Sequence, residues 1–212
     1  MKKLVIIGIG GFGREVAWLI ERINKIQSTW DLIGFVDDDT AMQNSIVDGY
    51  PVLGYCNWLL EHKDNIYAVC AIGSAKTRKK VIQKLDGVSF ATIIDPSVII
   101  SDKVKIGEGC IICAGSILTV NISLGNHVII NLDCTVGHDT ILHNFVTLYP
   151  SVNVSGNVIL NECVEMGTGS QIIQGIEIGE NSIVGAGAVV VTTLPQECTA
   201  VGIPAKSIKF NK

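Results

Sequence analysis

Val136-Gly137-His138-Asp139 places an imidazole between a glycine and a carboxylate. An imidazole titrates near neutral pH, so His138 can take a proton from an amine or a hydroxyl. The adjacent Asp139 can hold one tautomer of the ring and raise its basicity. A glycine amide near such a base can bind the oxygen of a carbonyl under attack. Together these parts make general-base acyl transfer with an oxyanion donor. From spacing alone an outward His is more often a surface residue, so the surrounding elements decide.

A second constellation lies near the N-terminus. Leu4 to Ile7 is a short apolar run, followed by Gly8-Ile9-Gly10-Gly11-Phe12-Gly13 and then by Arg14 to Asn24. Val16, Leu19, Ile20 and Ile23 repeat there at helical spacing. A strand, a glycine turn and a helix N-terminus form a phosphate seat, because the backbone can approach an anion closely. Asp37 or Asp38, at the end of a second strand Leu32 to Val36, can bond a ribose hydroxyl or a base edge. The alternative is a tight turn that only packs helix on strand. A nicotinamide cofactor also competes, but the second mononucleotide half of such a fold is missing.

The elements that position His138 follow from a period of six. From Ile94 every sixth residue to Val190 is aliphatic or Met, seventeen positions in all. The residue four further on in each hexad is small, β-branched or both, as in Cys110, Ser116, Val128 and Thr140. A fixed short repeat of this kind is a hexapeptide β-helix, with one strand and one corner per hexad and three hexads per triangular coil. The aliphatic fills the prism and the small residue fits the corner. Gly107, Gly125, Gly137, Gly167, Gly179 and Gly185 directly follow the aliphatic, where a bend with φ > 0 is expected. One coil is eighteen residues, which stacks His138 over Gly156 and then Gln174. His127, His138 and His143 all fall at outward positions, and His62 belongs to the surface of the N-terminal segment.

Residues 1–92 alternate strands and helices, which implies a parallel sheet. Further strands are expected at Ile66 to Ile72 and Phe90 to Ile94. A short helix is expected at Trp58 to Glu61 and a longer one at Ala75 to Leu85, with Lys and Arg on its outer side. The predicted fold is therefore a truncated Rossmann-like α/β domain, residues 1–92, followed by a left-handed parallel β-helix, residues 93–212.

Composition narrows the function classes. The net charge of −4 gives no basic field for nucleic acid. The longest apolar runs are far below the ~18 residues of a membrane span, and Met1-Lys2-Lys3 leads into a glycine turn without a cleavage site. The seven cysteines have no framework spacing, and Cys110-Ile111-Ile112-Cys113 lacks a second pair, so reduced cytoplasmic thiols are expected and no metal site.

The hexads, with Val136-Gly137-His138-Asp139 at their centre and Val201-Gly202-Ile203-Pro204-Ala205-Lys206 at their end, resemble the left-handed β-helix acyltransferases. The glycine turn, Phe35-Val36-Asp37-Asp38 and Ala71-Ile72-Gly73 narrow the resemblance to the sialic-acid O-acetyltransferase-like sugar acyltransferases. That group includes bacterial enzymes that N-acetylate nucleotide-linked 4-amino sugars. The resemblance covers nearly the whole chain.

It implies a cytoplasmic acetyl-CoA-dependent acetyltransferase. The acceptor would be a UDP- or GDP-linked 4-amino-deoxy sugar for surface glycans. It also implies a homotrimer with acetyl-CoA lying between neighbouring prisms. His138 then matches the general base and Asp139 its acidic partner. Gly156 matches the amide at the thioester carbonyl. Thr168 and Ala186 match contacts to the pantetheine arm, and Ile203, Pro204 and Lys206 contacts near the adenine end. Gly10, Gly11, Phe12, Asp37, Asp38 and Gly73 match the nucleotide-sugar pocket, with Asn131 near the amine. Phe12 takes the place of a His that some members carry in that pocket, and Thr147 stands where one branch carries a second His near acetyl-CoA, so that second role does not transfer. The outer Ile111, Ile117, Ile129, Ile141 and Ile159 also favour self-association, because a soluble monomer rarely exposes such a patch. Two readings compete: O-acetylation of a sugar hydroxyl such as that of sialic acid, and a non-catalytic nucleotide-binding β-helix scaffold.

Overall fold

The computed structural model describes residues 1–210. The N-terminal part runs β1 (Lys2–Ile7), α1 (Gly11–Ile26), β2 (Trp30–Val36), β3 (Ile46–Val47), β4 (Tyr50–Gly54), α2 (Trp58–Glu61), β5 (Ile66–Cys70), α3 (Ala75–Ile82) and β6 (Ser89–Phe90). Its sheet has the order β3-β4-β2-β1-β5-β6, with β1 parallel to both neighbours. Gly13 is the packing glycine of the turn. A side chain there would strike the Gly8 carbonyl, so α1 can lie directly on β1. The antiparallel hairpin β3–β4 goes beyond the expected elements. Its signal was present: Asp48-Gly49 are both left-handed, at φ 47° and 87°, as a two-residue hairpin turn demands.

The expected strand Phe90 to Ile94 is in fact two. β6 pairs with β5, while β7 (Ile93–Ile94) starts a second architecture. From β7 to β23 (Val189–Val190) there are seventeen two-residue strands. Each pairs in parallel with a strand one coil away, as in Ile111, Ile129, Thr147, Glu165 and Ile183. Three sheets result, forming a left-handed β-helix. An antiparallel hairpin, β24 (Cys198–Val201) and β25 (Lys206–Phe210), ends the longest sheet.

The hexad aliphatics from Ile112 to Val190 all lie inside and are at most 5% exposed. Each contributes about 1.5–3 kcal/mol of burial. Ile94, Ile100 and Ile106 are only partly buried, at the open end of the first coil. Two of the buried polar corner residues bond across coils, Ser116 Oγ donating to Asn131 O (2.9 Å) and Ser182 Oγ to Pro195 O (2.8 Å), whereas the buried Ser170 hydroxyl has no partner among the described residues.

The glycines after the aliphatics do not take positive φ. The left-handed residue lies two positions later, at Gly109, Asp133, Asp139, Asn157 and Gly169 among others. The earlier glycines are needed because the next coil passes too close: a Cβ on Gly137 would sit 2.6 Å from Gly156 N.

The α/β part docks on one outer face of the prism. Ile93, Ile111 and Ile129 share a core with Val16, Leu19 and Ile20 of α1. Ile111 and Ile129 are therefore not an exposed patch, contrary to expectation. Ile117 and Ile141 do remain exposed, and Ile159 is half-buried. Two arginines fasten the parts together. Arg22 grips the buried Asp95 at 2.6 and 3.1 Å. Arg78, expected on the outer side of its helix, is instead fully buried. Its guanidinium donates to Ile72 O (2.6 Å), Gly73 O (3.0 Å), His127 O (3.0 Å), Phe145 O (2.7 Å) and Thr147 Oγ1 (2.9 Å).

Candidate active site

His138 and Asp139 are the second and third residues of a prism corner, directly after the strand Thr135–Val136. Asp139 holds the left-handed conformation at φ 59°, which Asp tolerates better than most residues. This turns its carboxylate back toward the imidazole, with His138 Nδ1 2.8 Å from Asp139 Oδ2. An ionised carboxylate only accepts hydrogen bonds. Nδ1 must therefore carry the proton, which leaves the Nε2 lone pair bare. The bond from His138, then one from Asn121, hold the Asp139 carboxyl below the usual carboxylate value. Asp139 thus stays charged across the neutral range.

Gly156 lies one coil above, as the repeat predicted. A Cβ on Gly156 would come 2.5 Å from both Cε1 and Nε2 of His138, so the ring covers that glycine. The corner backbone explains what the ring faces. The N–H of the second corner residue is outside the inter-coil ladder, and at Gly156, Thr168 and Ala186 it has no protein acceptor among the described residues. Gly156 sets such a donor beside a bare imidazole nitrogen. Thr168 and Ala186 present the same free donor at exposed positions, stacked one coil apart on a neighbouring corner. Thr168 and Ala186 thus line one corner with two free donors, and Gly156 places a third on the corner of His138.

Asn131 lies on the corner of Thr168, not that of His138. It is buried, and its Oδ1 accepts from Leu132 N at 2.7 Å. Gly202, Ile203 and Pro204 lie in the exposed turn between β24 and β25, with a cis Ile203-Pro204 bond, and the exposed Lys206 opens β25. Ala205 N returns to Val189 O at 2.8 Å.

The glycine turn faces a cleft at the carboxyl ends of β1, β2 and β5, where open α/β sheets bind ligands. Gly8, Asp37, Asp38, Cys56, Ile72 and Thr77 are among its lining residues, around about 230 Å³. Gly10 and Gly11 are exposed at the start of α1, and Phe12 is half-buried against the α1 core. Asp37 is partly committed: its Oδ2 accepts from Ile9 N (3.0 Å) and its Oδ1 from Asp39 N (2.9 Å). Asp38 Oδ1 accepts from Cys56 N at 2.9 Å. Burial, and then Asp38, push the Cys56 thiol up to about 12, so it is no nucleophile.

Gly73 joins the two parts. Its carbonyl accepts from Thr147 Oγ1 (2.8 Å) as well as Arg78. Tyr149 stands beside it and donates to Glu165 (2.9 Å). Within one chain, no hydrogen bond or ion pair links His138 to the α/β part among the described residues.

The other histidines separate clearly. His127 points out of the prism as expected but is buried by the α/β part. Its ring stacks on Phe145 (5.2 Å) and meets Phe90 edge-on (4.8 Å). Burial, and then Arg78, press it down to about 4. It is therefore neutral at pH 7 and closed off from substrate. His143 is exposed. His62 stacks on Trp58 at 3.9 Å. Sequence reasoning missed Arg78, whose burial has no local signal, and Asn121, which counting one coil back from Asp139 would have found. No cluster of three His, Cys, Asp or Glu residues suited to a metal occurs among the described residues.

A hexapeptide prism with an outward His-Asp pair beside a free glycine amide is an acyltransferase architecture, and the comparisons with known proteins agree. Residues 3–85 match the PglD N-terminal domain family. GDP-perosamine N-acetyltransferase of Escherichia coli O157:H7 is 31% identical over 213 residues, covering 96% of this chain and 95% of that protein. The acetyltransferase domain of PglB from Neisseria gonorrhoeae FA1090 superposes with a TM-score of 0.89 at 33% identity, over 98% of this chain and 100% of that one. It has also been solved with acetyl coenzyme A. PerB from Caulobacter crescentus, solved with CoA and GDP-perosamine, gives 0.85 at 34% identity, over 98% and 97%. The chain belongs to the sialic-acid O-acetyltransferase-like, hexapeptide-repeat sugar acyltransferases and is an acyltransferase.

Proposed function

We propose that this chain transfers an acetyl group from acetyl-CoA to the amine of a nucleotide-linked amino sugar, a UDP- or GDP-4-amino-deoxy sugar. The observation that carries it is the bare Nε2 of His138, held by Asp139 and set against the free Gly156 amide. Acetyl-CoA supplies the acyl group as a thioester. His138 Nε2 takes the proton of the amine as the new C–N bond forms. Gly156 N–H donates to the carbonyl oxygen as it gains charge. The C–S bond then breaks, and the imidazolium returns its proton to the departing thiolate. Thr168 and Ala186 hold the pantetheine arm through their N–H groups, and Ile203, Pro204 and Lys206 border its far end.

The α/β part, residues 1–92, would seat the nucleotide-sugar through Gly10, Gly11, Phe12, Asp37, Asp38 and Gly73. The prism, residues 93–212, would supply the chemistry. The cleft and His138 of one chain stand on different parts of the molecule, and Asn131 lies on a different corner from His138. We therefore place the complete site between copies in a homotrimer. The exposed outer isoleucines Ile99, Ile117 and Ile141 support that assembly. Seven free cysteines support a reducing, cytoplasmic setting.

The test is thiol release from acetyl-CoA with UDP- and GDP-amino sugars, free amino sugars and hydroxyl-only analogues. Turnover with the nucleotide-linked amines alone is expected. Equal turnover with the hydroxyl analogues would move the assignment to O-acetylation, and no turnover with any acceptor would favour a scaffold. Sedimentation at micromolar concentration should show a trimer, and a monomer would remove the inter-subunit site.

A further inference from the structure

The third corner residue of each coil on the His138 edge stacks one above another: Asn121, Asp139, Asn157 and Gly175. All four are left-handed, at φ 58°, 59°, 56° and 76°. That conformation aims a short side chain along the prism axis. Asn121 Nδ2 reaches Asp139 Oδ1 at 3.2 Å, while Asp139 Oδ2 is engaged by His138 Nδ1 at 2.8 Å. Asp139 N donates to Val120 O (3.1 Å), and His138 O accepts from Asn157 N (2.7 Å). The backbone of the pair is thus pinned by the coils on either side. Among the described residues its carboxylate has one side-chain partner besides His138, the Asn121 amide.

From this geometry we infer that Asn121 is a positioning residue for the acyl transfer, resting on the assignment of His138 as base. It holds the Asp139 carboxylate so that Oδ2 meets Nδ1. Through Asp139 it fixes the tautomer of the neutral ring, with the proton on Nδ1 and Nε2 placed beside Gly156. Without it the Asp139 side chain, half exposed at 54%, is free to rotate toward solvent. A hydrogen-bond donor to a charged acceptor is the stronger kind, and its loss at this distance from the reacting nitrogen is worth about three- to tenfold in kcat.

Asn121→Gly is the informative variant, because glycine adopts the same left-handed backbone without strain and removes only the amide. It should lower kcat about three- to tenfold while leaving the Kd for acetyl-CoA and the melting temperature unchanged. In a double-mutant cycle, Asn121→Gly should cost nothing further on an Asp139→Asn background, since its effect passes through that carboxylate. A merely structural role would lower the melting temperature and would not produce that coupling. Wild-type kcat in Asn121→Gly, or full additivity with Asp139→Asn, would overturn the inference. If His138→Ala itself stays active, the base assignment fails instead, so the two failures can be told apart.

Discussion

Replacing Arg78 by Lys probes the joint between the two parts. The native guanidinium is fully buried and meets five oxygens at 3.0 Å or less, with no carboxylate in ion-pair range among the described residues. An ammonium keeps the buried charge but has three donors at one point instead of five in a fork. At least two of those five contacts are lost. Gly73 O keeps its bond from Thr147 Oγ1, so it suffers least, whereas Ile72, His127 and Phe145 carbonyls depend on the arginine. Each buried acceptor left unmatched costs about 1–3 kcal/mol, so the loss is about 2–6 kcal/mol. At about 2–4 °C per kcal/mol for a chain of this size, the melting temperature should fall by about 4–24 °C. The assay is thermal unfolding followed by circular dichroism at one protein concentration, because self-association makes the midpoint concentration-dependent. A melting temperature within about 2 °C of wild type, less than the shift for 1 kcal/mol at the upper end of that scale, would refute the claim that these contacts fasten the parts.

Gly156→Ala should displace the His138 ring, since its Cβ would lie 2.5 Å from Nε2. A fall in kcat of about tenfold or more is expected, read by thiol release with the melting temperature as control. His127 is held down to about 4 by burial and Arg78, so its neutral form stabilises the fold fully above the unfolded value of about 6.5. That contribution is lost as pH falls to about 4. Urea unfolding of His127→Gln should be less acid-sensitive than wild type across that window, with kcat unchanged. Burial alone would raise the Asp95 carboxyl, but Arg22 and Ser97 hold it below its ordinary value. Its stabilisation is therefore complete above an unfolded value of about 3.9 and lost below. Arg22→Gln should destabilise at pH 7, and the difference from wild type should shrink as pH falls through the carboxylate range.

The prism was legible because one rule, a large aliphatic every sixth residue, acts identically in every coil. Counting by eighteen also put His138 against Gly156. A period states which side chains leave the prism but not what covers them. Ile111 and Ile117 occupy the same hexad position, yet α1 buries the first and leaves the second exposed. His127 and His138 likewise both leave the prism by period and are opposite in environment. The glycine positions were visible while their cause was misread, because close approach of the next coil and left-handed φ both select glycine. Arg78 shows the same limit: a helix of Lys and Arg hides which residue faces a neighbouring domain.

The central claim is N-acetylation of a nucleotide-linked amino sugar, with His138 as the base. The most direct measurement is a nuclear magnetic resonance spectrum of the product from acetyl-CoA and a GDP-linked 4-amino sugar, with wild type and His138→Ala side by side. One acetyl group attached to the sugar nitrogen is expected with wild type, and a rate about 10²–10⁴-fold lower with the variant at unchanged acetyl-CoA affinity. Acetyl found on a sugar oxygen, or equal product from both proteins, would contradict it.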